Sequence, residues 1–517
     1  MKKYLGAELF FESLYYLGIR TIFGLPGGYV LKVYDVLPSY SKKIKHILTR
    51  HEQAATHMAD GFARASELPG IVLCTSGPAA TNTVAGITTA YMDSVPVLIF
   101  TGQVPVPFLG SDAFQEADHI GITRSCTKHN TLVRKTINLP KAMAEAYHIS
   151  TTGRKGPVLV DMPKDVLIGE SEFKIPEKIR LPNYKENPIL KKKDFENFES
   201  LLNLSDKPLL VFGRGSCDMS NMKNIKHILK KFAIPSLTSL MSLGVLGDSE
   251  NNFGMLGDHG SYAASELIRN TDLLISIGCD LNKILPETLL QNKKIVVVDI
   301  DEAQLNYFRK DTLNIHTNSK FFIDAFKDIK NKFQFKWEKK YLKGLHTKNT
   351  THKLSVVSKN KKAFIFHALS LLSKDETIIC SDFSYQDTTH QQFFEFKDYR
   401  NNILAGGNGI PGYGFPAAIG AKFARPKTKV VSVSSGANFQ FNMQEMIVAR
   451  EQNLDLSIIV VNERGKDKNQ KNKGPDYTLM GEAFGVKSFK IDIDDDIKKE
   501  LGKHLNHQGT RLIEIVI

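Results

Sequence analysis

Glu52 is the residue of this chain best placed by its surroundings to do chemistry. It stands in Arg50-His51-Glu52-Gln53-Ala54-Ala55, at the opening of a helical pattern that continues through His57, Met58, Asp60 and Phe62. A carboxyl group there has two readings. One is an acid in the first turn that complements the helix dipole; the other is a group that hydrogen-bonds a ring nitrogen of a cofactor. Farther on, Ser76-Gly77-Pro78-Ala79-Ala80-Thr81-Asn82 follows an apolar strand pattern, so backbone N–H groups at a helix start face a ligand. Gly213-Arg214-Gly215-Ser216, Thr238-Ser239-Leu240-Met241 and Gly254-Met255-Leu256-Gly257-Asp258-His259-Gly260 repeat this strand-then-turn arrangement. Each alone also reads as a structural turn. Asp299-Ile300-Asp301 ends a strand pattern, where carboxylates meet ribose-type hydroxyls. Between Arg464 and Lys473 five cations (Arg464, Lys466, Lys468, Lys471, Lys473) face only Asp467. That run is either a solvated loop or a cradle for an anion.

These groups need a scaffold, and the sequence supplies one. Short β-branched runs recur, each followed by Gly or Pro and then a helical pattern: Ile71–Thr75, Pro96–Thr101, Pro157–Asp161, Pro208–Phe212, Leu273–Ile277, Ile295–Asp299, Thr377–Cys380, Val430–Val433 and Ser457–Val461. Nearly continuous apolar strands alternating with helices predict parallel sheets covered on both faces. The Pro/Lys/Glu-rich stretch from Glu170 to Lys193 and the basic stretch Lys330–Lys362 read as linkers. The expected fold is therefore α/β, with three doubly wound parallel-sheet domains at 1–168, 190–330 and 360–517. With 42% apolar and 24% charged residues, the 517-residue chain is neither disordered nor collagenous. Its net charge of +13 raises nucleic acid as a partner, but eleven Lys against the single acid Glu338 fall within Lys330–Lys362, so no basic face is spread over a fold. Five scattered cysteines without a CxxC pair argue against disulfides and zinc. Tyr4 to Leu17, broken by Glu8 and Glu12, reads as an amphipathic first helix, and no apolar stretch is long enough to span a bilayer. A cytoplasmic protein with no membrane or nucleic-acid partner is expected.

Six segments then occur in one order: Gly24-Leu25-Pro26-Gly27-Gly28, the Glu52 segment, Thr75 to Asn82, Thr101-Gly102-Gln103-Val104-Pro105, Ser111-Asp112-Ala113-Phe114-Gln115-Glu116 and Gly156-Pro157-Val158-Leu159-Val160-Asp161. This order closely resembles the large subunit of acetolactate synthase, a thiamine-diphosphate (ThDP) enzyme that also carries FAD. The resemblance covers nearly the whole chain and implies a pyrimidine-binding, a central FAD-type and a diphosphate-binding domain. It implies that Glu52 holds the aminopyrimidine ring and shares a proton with it in a largely apolar pocket, so that the cofactor attacks a pyruvate-like 2-keto acid and serves as electron sink. By the same resemblance Gly28, Gln103, Phe114, Gln115 and Lys128 face substrate or cofactor. Gly77, Pro78, Gly406, Gly407, Gly409, Gly412 and Asn438 belong to the ThDP site. Gly213, Arg214, Gly215, Ser239, Leu240, Met241, Gly257, His259, Asp299 and Asp301 belong to FAD. A homodimer or homotetramer and a possible regulatory subunit complete the expectation.

The third domain departs from the family. Ala405 to Pro416 is a clear match, but the family's Gly-Asp-Gly is here Ser435-Gly436-Ala437-Asn438, and its Asn-Asn pair is Asn462-Glu463. The two positions expected to hold Mg²⁺ are thus Gly436 and Glu463, so no metal ligands are assigned, because magnesium requires hard oxygen donors in octahedral array. The family's Gly-Gln-His is Ser384-Tyr385-Gln386, the loop after Glu463 is shortened and lacks its aromatic specificity residue, and the C-terminal lid is expected to be absent beyond Ile517. In the middle domain the family's Arg-rich segment is Gly278-Cys279-Asp280-Leu281-Asn282. Two functions follow: a carboligase joining a decarboxylated 2-keto acid to a second carbonyl, or an FAD-binding relative without Mg-dependent ThDP binding, catalytic in another way or not at all.

Overall fold

A computed structural model describes residues 2–182, 184–305, 312–373, 376–384, 387, 389–463, 474–492 and 494–517. The apolar runs become buried strands close to where the sequence places them. Ile71–Thr75 is observed as Gly70–Cys74, Pro157–Asp161 as Val158–Pro163, and Pro208–Phe212 and Leu273–Ile277 as read. They assemble into three six-stranded sheets, each entirely parallel. Each sheet lies between two apolar layers, as doubly wound sheets require.

Strand order fixes where ligands can sit. Numbered within each domain, the first and third sheets have the order 2-1-3-4-6-5, and the central sheet has 3-2-1-4-5-6. The central order is that of dinucleotide-binding folds, whose ligand crosses the crevice where the winding reverses. That reversal lies between Pro208–Phe212 and Leu273–Ile277. In the first sheet it lies between Thr21–Gly24 and Gly70–Cys74, and in the third between Ile378–Asp382 and Val430–Ser435. Gly28 and Gly77 follow the first pair of strands; Asp382 and Gly436 stand at the ends of the third pair.

Both expected linkers hold regular structure. Glu170–Glu172 pairs antiparallel with Lys3–Leu5, tying the chain start to the end of the first domain. Lys339–Lys359 is a helix, because its apolar residues have a surface to cover: Trp337 Nε1 donates to the Pro208 carbonyl at 2.8 Å, His346 stacks on Phe253, and Leu345 is buried with them. Six lysines of the stretch read as linker (Lys339, Lys340, Lys343, Lys348, Lys353 and Lys359) therefore lie on a helix docked on the central domain.

First and third domains share one core through two helices, Glu52–Ser66 and Gly414–Ala424. They cross at backbone contact: a Cβ on Gly420 would lie 1.8 Å from the Met58 carbonyl oxygen. A buried polar cluster locks the same interface. Arg64 bridges Asp60 (2.6 Å) and Asp93 (2.7 Å), the Tyr413 hydroxyl donates to Asp60, and Asp93 accepts the backbone N–H groups of Gly406 and Gly407 at 3.1 and 2.8 Å. Breaking a buried pair of this kind by removing one partner costs about 3–5 kcal/mol. The five cysteines are free, and no described helix is long and apolar enough to cross a membrane.

Candidate active site

Glu52 begins its helix, as read. His51 precedes it as the cap, its Nδ1 accepting the Gln53 N–H at 3.1 Å. The carboxylate accepts one bond from the Asn82 side-chain amide, at 3.0 Å, and is half-buried rather than enclosed in the apolar pocket expected for it. The third domain sets the direction of this helix. Glu445 accepts the Arg50 N–H on both carboxylate oxygens, at 3.1 and 3.2 Å, and Arg50 pairs with Glu451 at 2.7 Å. Burial pushes the Glu445 carboxyl up to about 8, against the lowering effect of the Arg50 and His51 amides and the Arg50 charge. Neither Glu445 nor Asn82 was singled out from sequence. Asn82 lies in a quoted motif, but the partner of Glu445 lies nearly four hundred residues away.

Around Glu52 the motif loops converge. Gly28 faces open space, Tyr29 N–H donates to Thr75 Oγ1, and the Tyr29 hydroxyl donates to the Phe114 carbonyl at 2.7 Å. Gly77 has φ +61°, and a Cβ there would lie 2.8 Å from the Gln115 carbonyl oxygen, so the turn before Pro78 needs glycine on both counts. Phe114 is 81% exposed, an apolar ring at the edge of this region.

Two residues expected to face the ligand are used otherwise. Gln103 is buried; its amide donates to Ala117 O (2.8 Å) and Asp161 Oδ2 (3.0 Å), while its Oε1 takes the Val104 N–H. Asp161 also bonds His119 Nδ1 at 3.0 Å, and His119 Nε2 accepts the Gly77 N–H at 3.1 Å. Gln103 therefore belongs to a buried network that fixes the Gly77 turn, and His119, unremarked in sequence, is its hinge pin. Lys128 Nζ donates to the Ile149 and Thr152 carbonyls and the Tyr184 hydroxyl, at 2.5, 2.5 and 2.8 Å. Burial lowers its pKa to about 8, and its bonds tether the domain's far edge.

In the central domain a cleft of about 340 Å³ opens where the winding reverses. Arg214, Gly215, Met241, Gly278 and Asp299 line it, as does Asn221, whose buried Oδ1 has no hydrogen-bond partner. An orphaned acceptor beside a strand-end carboxylate suits the amino and hydroxyl groups of a dinucleotide such as FAD. Gly213 is explained by packing: a Cβ there would strike the Gly278 carbonyl oxygen at 2.2 Å. Ser239 and Leu240 are structural, Ser239 bonding Ser242 and the Leu240 carbonyl accepting Asn402. Asp301 holds Arg154 of the first domain at 2.7 Å, while Asp299 lines the cleft together with Asp93, Asp218 and Asp280; burial raises the Asp299 pKa. Gly257 packs against Ile284 rather than opening into the cleft, while His259 and Asp258 line a separate cavity of about 630 Å³ beside the Lys339–Lys359 helix.

The third domain's half-site is the least as expected. Of the five glycines in Ala405–Pro416, Gly406 is closed by Met241, Gly407 by Asp93, Gly412 by Phe441 and Asn442 and Gly414 by Asp382; Gly409 alone faces open space. Asp382 organises the loop, accepting the Gly412 N–H (2.7 Å) and the Asn438 amide (2.7 Å). Burial raises the Asp382 carboxyl to about 6, although those same bonds pull it down. Asn438 is thereby engaged inward. A Cβ on Gly436 would lie 2.7 Å from the buried Tyr477 hydroxyl oxygen. Glu463 pairs with Lys362 at 2.6 Å, and Lys362 also pairs with Asp387 at 2.7 Å. Among the described residues no group of three His, Cys, Asp or Glu side chains is placed to hold a metal ion. The residues of this half-site do not fit magnesium. Tyr385, Gln386 and the cationic run from Arg464 to Lys473 lie outside the described residues.

Comparison with known proteins agrees with this architecture. Residues 5–122 match the family described as thiamine pyrophosphate enzyme, N-terminal TPP binding domain; 196–326 match its central domain and 384–515 its C-terminal TPP binding domain. Over 99% of this chain and 92% of the relative, it is 34% identical to the probable acetolactate synthase large subunit of Methanocaldococcus jannaschii. It is 33% identical to the acetolactate synthase large subunit of Lactococcus lactis, over 99% and 92%. The acetolactate synthase isozyme 2 large subunit of Escherichia coli shares 30%, over 99% of this chain and 95% of its own length.

Proposed function

Because the chain belongs to the acetolactate synthase large-subunit family of thiamine pyrophosphate enzymes, we propose that it decarboxylates a pyruvate-like 2-keto acid and joins the product to a second carbonyl compound. The observation that carries this reading is Glu52: a half-buried carboxylate at a helix start, held from one side by Asn82, with the Gly28 and Gly77 turns beside it. ThDP, when bound, supplies the electron sink for decarboxylation. The chain's own part is positioning and one proton. Glu52 would hold that proton toward the cofactor's aminopyrimidine ring, and Glu445 aims the helix that carries Glu52 by accepting the Arg50 N–H. His119 and Asp161 hold the Gly77 turn in its left-handed conformation.

The central cleft suits FAD: Arg214 and Gly215 would hold its phosphates and Asp299 its ribose, with Asn221 offering a free acceptor. The reading calls for a homodimer, in which a second copy would cover the open side of Glu52 and complete its apolar surroundings. Incubation of the purified protein with pyruvate and ThDP, followed by acid conversion of acetolactate to acetoin, tests the proposal. Acetoin that depends on added ThDP supports it; no pyruvate consumption and no ThDP uptake would overturn it.

A further inference from the structure

In the third domain the strand Val430–Ser435 lies between Ile378–Asp382 and Leu456–Asn462, and it ends at Gly436. The segments after the two flanking strands carry Asp387 and Glu463. Lys362, from the helix Lys361–Leu372, reaches both: its Nζ is 2.7 Å from Asp387 Oδ2 and 2.6 Å from Glu463 Oε1, with only 12% of its side chain exposed. One ammonium thus joins the two loops across the end of the middle strand. Directly beside it the other expected ligand position is closed. Tyr477 packs its ring on Gly436, and Gln440 Nε2 donates to the Tyr477 hydroxyl at 3.0 Å. Burial works against the charge on Lys362, but the bonds to Asp387 and Glu463 outweigh it and hold its pKa above the usual lysine value.

We propose that this half-site has exchanged its divalent metal for an organic cation: Lys362 bridges Asp387 and Glu463 where a metal would have bridged loop and ligand, and Tyr477 fills the space of the missing carboxylate. The chemistry is coherent. Charge-assisted N–H···O bonds at this distance are strong and geometrically specific, so one lysine can pin two loops as a metal does. An ammonium also needs no octahedral set of hard oxygens, which this site cannot assemble. Glu463 satisfied by Lys362 is a poor metal ligand, and an aspartate at 436 has no room under Tyr477. Any diphosphate held by this domain is held without a divalent ion. The inference rests on assigning this domain as the diphosphate half-site, as proposed above.

Mn²⁺ titration of the full chain without cofactor, read as loss of the free six-line electron paramagnetic resonance signal, tests it. The wild type should leave the signal undiminished. Lys362→Met removes the bridge and leaves two carboxylates facing each other, so it should melt below the wild type, and Lys362→Met with Glu463→Gln should recover part of that loss. Stoichiometric Mn²⁺ binding by the wild type that Glu463→Gln abolishes would overturn the proposal, and that arm decides even where Lys362→Met fails to fold. Calorimetric titration with ThDP gives a second reading: affinity in magnesium and in EDTA should agree within about twofold, whereas a tenfold or greater loss in EDTA contradicts the proposal. Absence of ThDP binding in both media would contradict the proposed activity instead, leaving the Mn²⁺ result to judge the cation exchange.

Discussion

At the scale of single residues, Glu52 and Gly436 show opposite relations between sequence and structure. Glu52 was legible as a helix start because that depends on its own short context, an acid at the first position of a helical pattern. Gly436 was legible as a departure but not in its cause. The reason lies in Tyr477, forty-one positions on, whose ring occupies the space a side chain would need. Restoring an aspartate there is therefore an overpacking mutation. Gly436→Asp should cost about 1–3 kcal/mol, seen as a lower urea midpoint, and should cost less when introduced into a Tyr477→Ala background. A Gly436→Asp protein as stable as the wild type would show that Tyr477 does not close the position. Gln103 and Lys128 carry bonds that the sequence did not foretell, for a related reason. Their residue types suit a ligand, but Asp161 and the carbonyls of Ile149 and Thr152 claim them first, and such claims come from strands and turns that the sequence places far apart.

At the scale of elements, the buried strands were the most readable, since continuous β-branched runs have few alternatives. Edge strands such as Lys45–Leu48 and His129–Leu132 were not, because they are short and half-polar. The Lys339–Lys359 helix was hidden by its charge, its few apolar contacts being too sparse to make a period. The helix that carries Glu52 depends on an element from another domain, and this has a pH signature. Glu445 in the folded protein keeps its proton to about pH 8, while the unfolded chain releases it near 4.5. Between those values the folded state carries the extra proton, so raising the pH lowers stability, with a limiting slope of about 1.4 kcal/mol per pH unit. Glu445→Gln cannot release a proton, and its melting temperature should fall less than that of the wild type from pH 5 to 8. Parallel pH profiles for the two proteins would contradict the burial of that carboxyl. The groups nearest it are Arg50, His51 and Gln444.

At the scale of the whole molecule, three parallel sheets of two windings place three crevices: one beside Glu52, one at the end of Pro208–Phe212 and one at Gly436. The sequence told the α/β class and the division into three, but not that the first and third domains would share one core, because that core is built from small residues on two helices that name no partner. The central crevice carries its own prediction. Purified protein should be yellow or take up FAD with a rise in melting temperature, and Asp299→Ala should weaken that uptake at least tenfold; a colourless protein indifferent to FAD would contradict the assignment. The claim on which the rest depends is that turnover runs through Glu52, and comparison of pyruvate decarboxylation in the wild type and Glu52→Gln, both saturated with ThDP, measures it most directly. Gln keeps the shape and one hydrogen bond but cannot hold the exchangeable proton, so the rate should fall about 10²–10⁴-fold, with a melting temperature within a degree or two of the wild type. Wild-type turnover in Glu52→Gln, at equal stability, would contradict the account.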